Sequence, residues 1–139
     1  MIHVRLFLTA TLLLLFTAGN LTAQSLSWTP YKQALETAAS ENKQIYLYFY
    51  SPQCPWCRTM ENKTHGDGKV AAYLKENFIS VNINMDTNPA LTRKYRVSGV
   101  PANIFLSSEG ETLFSRPGHV PPQTFIRILE ILHTGKHDK

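Results

Sequence analysis

The stretch SPQCPWCRTMEN, residues 51–62, holds both cysteines of the chain. Cys54 and Cys57 stand three positions apart, with Pro55 and Trp56 between them. Such a pair can be a structural staple, half of a metal site, a haem attachment point or a reacting dithiol, and its neighbours bear on the choice. Upstream, IYLYFY (45–50) is β-branched and aromatic throughout and carries no charge. That is the pattern of a strand buried on both faces. Downstream, Pro55 suits the first turn of a helix, and WCRTMEN continues without a breaker. Cys54 is therefore expected where a buried strand gives way to a helix.

That placement has chemical consequences. Unpaired backbone N–H groups and the helix dipole favour an anion at a helix start, which raises the thiolate fraction of a cysteine there. Cys57 lies one helical turn on, on the same face and within disulfide reach. The pair suits a cycle in which Cys54 attacks a partner disulfide and Cys57 resolves the mixed disulfide. Haem attachment requires His directly after the second cysteine, and Arg58 stands there. Zinc requires four ligands; there is no second cysteine pair, and His65, His119, His133 and His137 have no matching spacing, so no metal is expected. A staple across two residues closes a very short loop and constrains the unfolded chain little.

The rest of the chain gives the pair a setting. Its 139 residues are 43% hydrophobic and 17% charged, enough for one domain with one core. The net charge of +4 is spread along the chain, and no nucleic-acid-binding module is visible. Residues 1–23 begin with His3 and Arg5, continue as an apolar run from Leu6 to Ala18, and end in Leu21-Thr22-Ala23. This three-part layout reads as a signal peptide cleaved near Ala23, leaving residues 24–139 as the domain. The alternative is an uncleaved N-terminal membrane anchor. Export places the cysteines in an oxidising compartment.

Further along, SWTPYKQALETAASENKQ reads as a helix capped by Thr29 with Pro30 at its first position. THGDG is expected to interrupt the helix that starts at the cysteines. KVAAYLKEN is a helical stretch with Val70, Ala71 and Leu74 at core spacing. FISVNIN (78–84) alternates as a strand. NPALTRKYRV gives a short helix with Asn88 as its cap. GVPANIFLSSEGETLFSR gives two strands turning at Ser107–Gly110. The last helix presents Phe125, Ile128, Leu129 and Leu132 on one face, with Gly135 just past its end. Strands alternating with helices predict an α/β domain with a mainly parallel central sheet and an antiparallel hairpin at its edge.

With the strand, the Cys-x-x-Cys helix and the later VSGVPANIFL in place, residues 27–133 resemble a thioredoxin-like fold: a central mixed sheet flanked by helices. The chain is most similar to small exported thioredoxin-like proteins and to the C-terminal domain of membrane thiol:disulfide interchange proteins. The resemblance implies that Cys54 is the exposed attacking cysteine and Cys57 the buried resolving one. It implies that Pro101 is a cis-proline against the active site, that the backbone of Val100 contacts substrate, and that Gly118 borders the same groove. Trp56 is expected as a partly exposed apolar lip, and His119 as an exposed loop residue. Two departures stand out. Tyr48 occupies the position of the family's buried acid, leaving Glu61 as a carboxylate able to act on Cys57 through water, against its ordinary reading as a solvated helix residue. Pro55-Trp56 replaces Gly-Pro, so the potential is not borrowed within a range running from about −270 mV for thioredoxin to about −120 mV for DsbA.

These readings predict an exported thiol–disulfide oxidoreductase, periplasmic or secreted, or anchored facing the periplasm. It would be a monomer acting on protein disulfides or thiols, with no organic cofactor and no nucleic acid. A membrane thiol:disulfide interchange protein is its expected electron donor. The competing class is a peptide-binding or chaperone-like module that keeps the fold with a disulfide that does not cycle.

Overall fold

The protein is described from a computed structural model covering residues 25–135. The signal-peptide and anchor expectations fall outside those residues. Among the described residues, no helix is long and apolar enough to cross a membrane.

Strand β1 (Gln44–Tyr50) is buried along its five central residues. Its alternating side chains divide the core. Tyr46 and Tyr48 pack with Cys57, Met60, Phe105 and Phe125 on one face, and Ile45, Leu47 and Phe49 pack with Ala34, Ala38 and Ile104 on the other. A period-two pattern of large apolar residues produces this when both sheet faces are covered. Helix α1 (Tyr31–Glu41) covers the second face through Ala34 and Ala38, which are fully buried. Helix α1 starts one residue later than expected. Pro30 is its N-cap, with its carbonyl accepting from Ala34 N–H, and Thr29 lies outside the helix, donating its N–H to the Ser80 carbonyl at 2.8 Å.

The sheet order is β2-β1-β3-β4, with β2 at Phe78–Asn84, β3 at Ala102–Leu106 and β4 at Thr112–Pro117. Only β1 and β2 run parallel; β3 is antiparallel to β1, and β4 to β3. The mixed sheet implied by the resemblance is the one found, and the mainly parallel sheet expected from strand–helix alternation is corrected. Helix α4 (Pro89–Lys94) and the loop after it carry the chain from the end of β2 to β3, which enters the sheet against β1 in the opposite sense. Asn88 is the N-cap of α4, but its side-chain Nδ2 donates backwards to the Asn84 carbonyl at 2.9 Å, and its Oδ1 accepts from no helical amide. The expected turn forms, with Gly110 at φ +85° donating its N–H to the Ser107 carbonyl.

Helix α2 (Pro55–Thr59) continues directly into a π-helical segment, Met60–His65. The break is confined to Gly66 and Asp67, so Thr64 and His65 remain helical where an interruption was expected. The wider i→i+5 turn is closed by Gly66 N–H donating to the Glu61 carbonyl, and both Thr64 and His65 are buried. Asp67 then caps α3 (Gly68–Asn77), its Oδ1 accepting from the Lys69 and Val70 amides at 3.0 Å. Helix α5 (Pro122–Thr134) buries Phe125 and Leu129, keeps Ile128 and Leu132 half-buried, and ends at Gly135 with φ +65°.

Gly66 is required by space. A Cβ there would stand 2.5 Å from the Asn62 carbonyl oxygen, a backbone atom that cannot step aside. Gly66→Ala should lower the stability measured by urea unfolding by about 1–3 kcal/mol, with an unchanged m-value.

His65 is 6% exposed and ringed by Trp28, Tyr46, Tyr48 and Phe125. Burial lowers its pKa from 6.5 to about 4. The unfolded chain takes up this proton below 6.5, whereas the folded chain resists it until about 4. Stability from this group is therefore intact above pH 6.5 and lost as pH falls towards 4. Between pH 7 and pH 4, wild type should lose roughly 2–3 kcal/mol more unfolding free energy than His65→Gln, which keeps an N–H donor but does not titrate.

Candidate active site

The strand-to-helix junction places the two cysteines. After β1 the chain turns, with Cys54 N–H donating to the Ser51 carbonyl, and Cys54 becomes the N-cap of α2. Its backbone is extended (φ −87°, ψ 111°), and Pro55 follows at the first helical position. The Cys54 sulfur accepts the Cys57 backbone N–H at 3.1 Å. This is the bond an N-cap side chain makes, here with sulfur as acceptor, and it favours negative charge on that atom. Cys54 and Cys57 are joined as a disulfide, with Cα atoms 5.2 Å apart. Cys57 is buried against Tyr48 and Met60, whereas Cys54 is half-buried at the surface.

Across from Cys54 lies a shallow groove of about 370 Å³, lined by Trp56, Val100, Pro101, Gly118 and His119. The Val100–Pro101 peptide is cis. The Val100 carbonyl oxygen lies 3.6 Å from the Cys54 sulfur. Trp56 is 62% exposed, and its indole stacks on the His119 ring at 5.9 Å. His119 is therefore half-buried against Trp56 rather than an exposed loop residue, and its Nε2 is buried without a partner. The structure thus brings together Cys54, Cys57, Pro55, Trp56, Val100, Pro101 and Gly118 around one short edge of the domain.

Behind the dithiol, Tyr48 fills the position where the resemblance expects an acid. Its hydroxyl lies 3.2 Å from both the Cys57 carbonyl and Glu61 Oε1, acceptors for its single proton. Burial first, and the neighbouring Glu61 carboxylate second, push the Tyr48 pKa far above its ordinary value, so the phenol stays protonated. A protonated phenol does not accept the Cys57 proton; its hydroxyl instead links the Cys57 carbonyl to the Glu61 carboxylate. Glu61 is exposed, as a solvated helix residue is, and in addition accepts from the Tyr48 hydroxyl. An open cavity of about 560 Å³, lined in part by Trp28, Tyr48, Tyr50 and Glu61, leads from this pair to solvent.

Tyr46, Asn103 and His65, the last weighed in the sequence only as a metal ligand, form a buried network. Tyr46 donates to Asn103 Oδ1 at 2.7 Å and is bonded to His65 Nε2 at 2.8 Å. The available signal was Asn103 inside the apolar run ANIFL, where a polar side chain needs a buried partner.

A family model described as a thioredoxin-like domain matches residues 31–133. The disulfide bond reductase DsbH of Chlamydia pneumoniae is 27% identical over 71% of this chain and 66% of its own. A solved DsbH oxidoreductase superimposes with a TM-score of 0.75 over 88% of this chain and 94% of its own, at 20% identity. A thioredoxin from Thermus thermophilus gives a TM-score of 0.71 at 30% identity, over 78% of this chain and 87% of its own. Other relatives are far longer. The chain spans 17% of the Caenorhabditis elegans protein B0495.5 and 11% to 13% of mammalian spermatogenesis-associated protein 20. With its mixed four-stranded sheet, its Cys-x-x-Cys helix start and a match over most of its length, this chain belongs to the thioredoxin-like domain family.

Proposed function

We propose that this protein is an exported thiol–disulfide oxidoreductase that reduces or exchanges protein disulfides through Cys54 and Cys57. The observation that carries the reading is the Cys57 N–H aimed at a half-exposed Cys54 sulfur beside an open groove. In the reduced protein, the Cys54 thiolate attacks one sulfur of a substrate disulfide. A Cys54–substrate bond forms, and the first substrate sulfur leaves as a thiolate that takes up a proton. Cys57 then gives up its proton and attacks the Cys54 sulfur. The second substrate thiolate leaves, and the Cys54–Cys57 disulfide closes. Two electrons have passed from the dithiol to the substrate.

The groove contributes position. A substrate strand lying along Val100 presents its sulfur to Cys54 while Trp56 supplies an apolar wall. Glu61, held by Tyr48, is the base that receives the Cys57 proton through water and passes it to solvent. The reductase name of the chlamydial relative supports the reducing direction. A membrane thiol:disulfide interchange protein that re-reduces the pair fits that direction, and the relationship to DsbD of Ralstonia nicotianae supports such a pathway. The leader-like residues 1–23 support export to the periplasm.

Cys57→Ser should accumulate mixed disulfides on Cys54 in the exported compartment, visible as dithiothreitol-sensitive adducts, and Cys54→Ser should accumulate none. The reverse pattern would exchange the roles of the two cysteines. Insulin-type disulfide reduction by either variant should fall to background, while a cellular role that survives loss of both cysteines would favour a peptide-holding module instead.

Glu61→Gln should slow resolution of a preformed Cys54 mixed disulfide by about tenfold to a hundredfold in stopped-flow measurements. The initial attack of Cys54 on a small disulfide should be unchanged. Tyr48→Phe, which releases the carboxylate but leaves it present, should show a smaller effect on the same step. Equal slowing of both steps in Glu61→Gln would remove Glu61 from the proton route.

A further inference from the structure

Asn103 is wholly buried in an apolar strand, two residues beyond the cis-proline. A buried amide is costly unless its donors and acceptor are all used. Here they are. Asn103 Nδ2 donates to the Arg116 and Gly118 carbonyls, both at 3.1 Å, and Oδ1 accepts from the Tyr46 hydroxyl at 2.7 Å. The two carbonyl acceptors fix which end of the amide is nitrogen, so Oδ1 must take Tyr46's only proton. Tyr46 can then only accept from His65. His65 is therefore the tautomer that carries its proton on Nε2, 2.8 Å from the Tyr46 oxygen. The chain of bonds has one direction: His65 to Tyr46, Tyr46 to Asn103, Asn103 to the Gly118 carbonyl.

Its two ends matter. His65 closes the π-helical segment that continues the cysteine-bearing helix. Gly118 lies in the far wall of the substrate groove, at φ +84°, with its N–H donating to the Pro101 carbonyl at 2.8 Å. The residue is thus pinned from both sides, by Pro101 at its N–H and Asn103 at its carbonyl. Two neighbouring bonds tie the same loop to the same π-helical segment. Thr64 Oγ1 donates to the Val120 carbonyl at 2.6 Å, and Val120 N–H points at Met60 Sδ at 3.5 Å.

We propose that Asn103, held by Tyr46 and His65, is a positioning residue for substrate: it sets the distance between the Cys54–Trp56 wall of the groove and the Gly118–His119 wall, and so governs the binding of extended polypeptide disulfides without acting on the dithiol. The inference rests on the thiol–disulfide reading. It differs from it in assigning specificity to a buried network beneath the groove. Its hydrogen bonds run to one another and to the Arg116 and Gly118 carbonyls, not to a reacting sulfur, although Tyr46 packs in the same core cluster as Cys57. A small disulfide needs only the dithiol, whereas a polypeptide needs both walls in register.

The experiment compares wild type with Asn103→Leu and Tyr46→Phe on two oxidised substrates, insulin and 5,5′-dithiobis(2-nitrobenzoate). For insulin, KM should rise about tenfold in Asn103→Leu and less in Tyr46→Phe, with kcat unchanged. The rate with the small disulfide and the dithiol's equilibrium potential against glutathione should match wild type in both variants. Exchange of the Gly118 amide hydrogen should accelerate in Tyr46→Phe, which reads the positioning even if Asn103→Leu does not fold. An unchanged insulin KM in Tyr46→Phe together with unchanged Gly118 exchange overturns the proposal. So does a small-disulfide rate that falls by the same factor as insulin turnover. Wild type inactive on both substrates would instead overturn the thiol–disulfide reading itself.

Discussion

Two phenol hydroxyls on one face of a buried strand constrain much of this structure. Tyr46 and Tyr48 alternate with Ile45, Leu47 and Phe49, so both rings enter the same side of the core. A buried hydroxyl without a partner costs free energy, and these two lie where neighbours are mostly apolar. Each is satisfied differently. Tyr48 turns to the Cys57 carbonyl and the Glu61 carboxylate, and Tyr46 to Asn103 and His65. The first solution organises the space behind the dithiol, and the second ties the cysteine-bearing helix to the far side of the groove. Burial raises both phenol pKa values, so both act as hydrogen-bonding groups and not as bases.

The dithiol itself depends on short-range geometry. Cys54 caps the helix that contains Cys57, and the bond between the Cys57 amide and the Cys54 sulfur spans one turn. Such a bond survives modest movement elsewhere because strand exit, proline and helix start are contiguous in the chain. The groove is different in kind. Its walls come from α2, from the segment before β3 and from the loop after β4, so its width depends on how distant segments are held together. The π-helical segment contributes by burying Thr64 and His65 in succession, giving that side two polar anchors.

Much of the fold was legible because its signals are local. Pro55 at a helix start, the apolar face of α5 ending at Gly135, and the Ser107–Gly110 turn are decided within a few residues by proline geometry, side-chain periodicity and positive φ. Alternation of strands and helices alone points to a mainly parallel sheet, because strand direction depends on the path of α4 and its following loop, which periodicity does not encode; the resemblance carried by the Cys-x-x-Cys helix and VSGVPANIFL gives the mixed sheet that forms. The cap falls one residue later than the Thr29-Pro30 pattern suggests: the Pro30 carbonyl accepts the first helical bond from Ala34, while Thr29 N–H joins the chain to β2. His119 was read as exposed because nothing near it in the chain announces Trp56 as its stacking partner.

The sequence by itself determined the site's chemistry: two cysteines one helical turn apart, a strand before them and a proline between them, which place one sulfur at a helix start whatever the rest of the domain does. Tertiary structure alone decided what surrounds that chemistry. The bond of Tyr48 to Glu61 joins a strand to a helix, and that of Tyr46 to Asn103 joins residues 57 positions apart. The reason is physical. A cap or a turn is a bond between near neighbours, available as soon as the local backbone forms. A buried polar network exists only when separate elements have packed closely enough to exclude water and bring each donor to an acceptor.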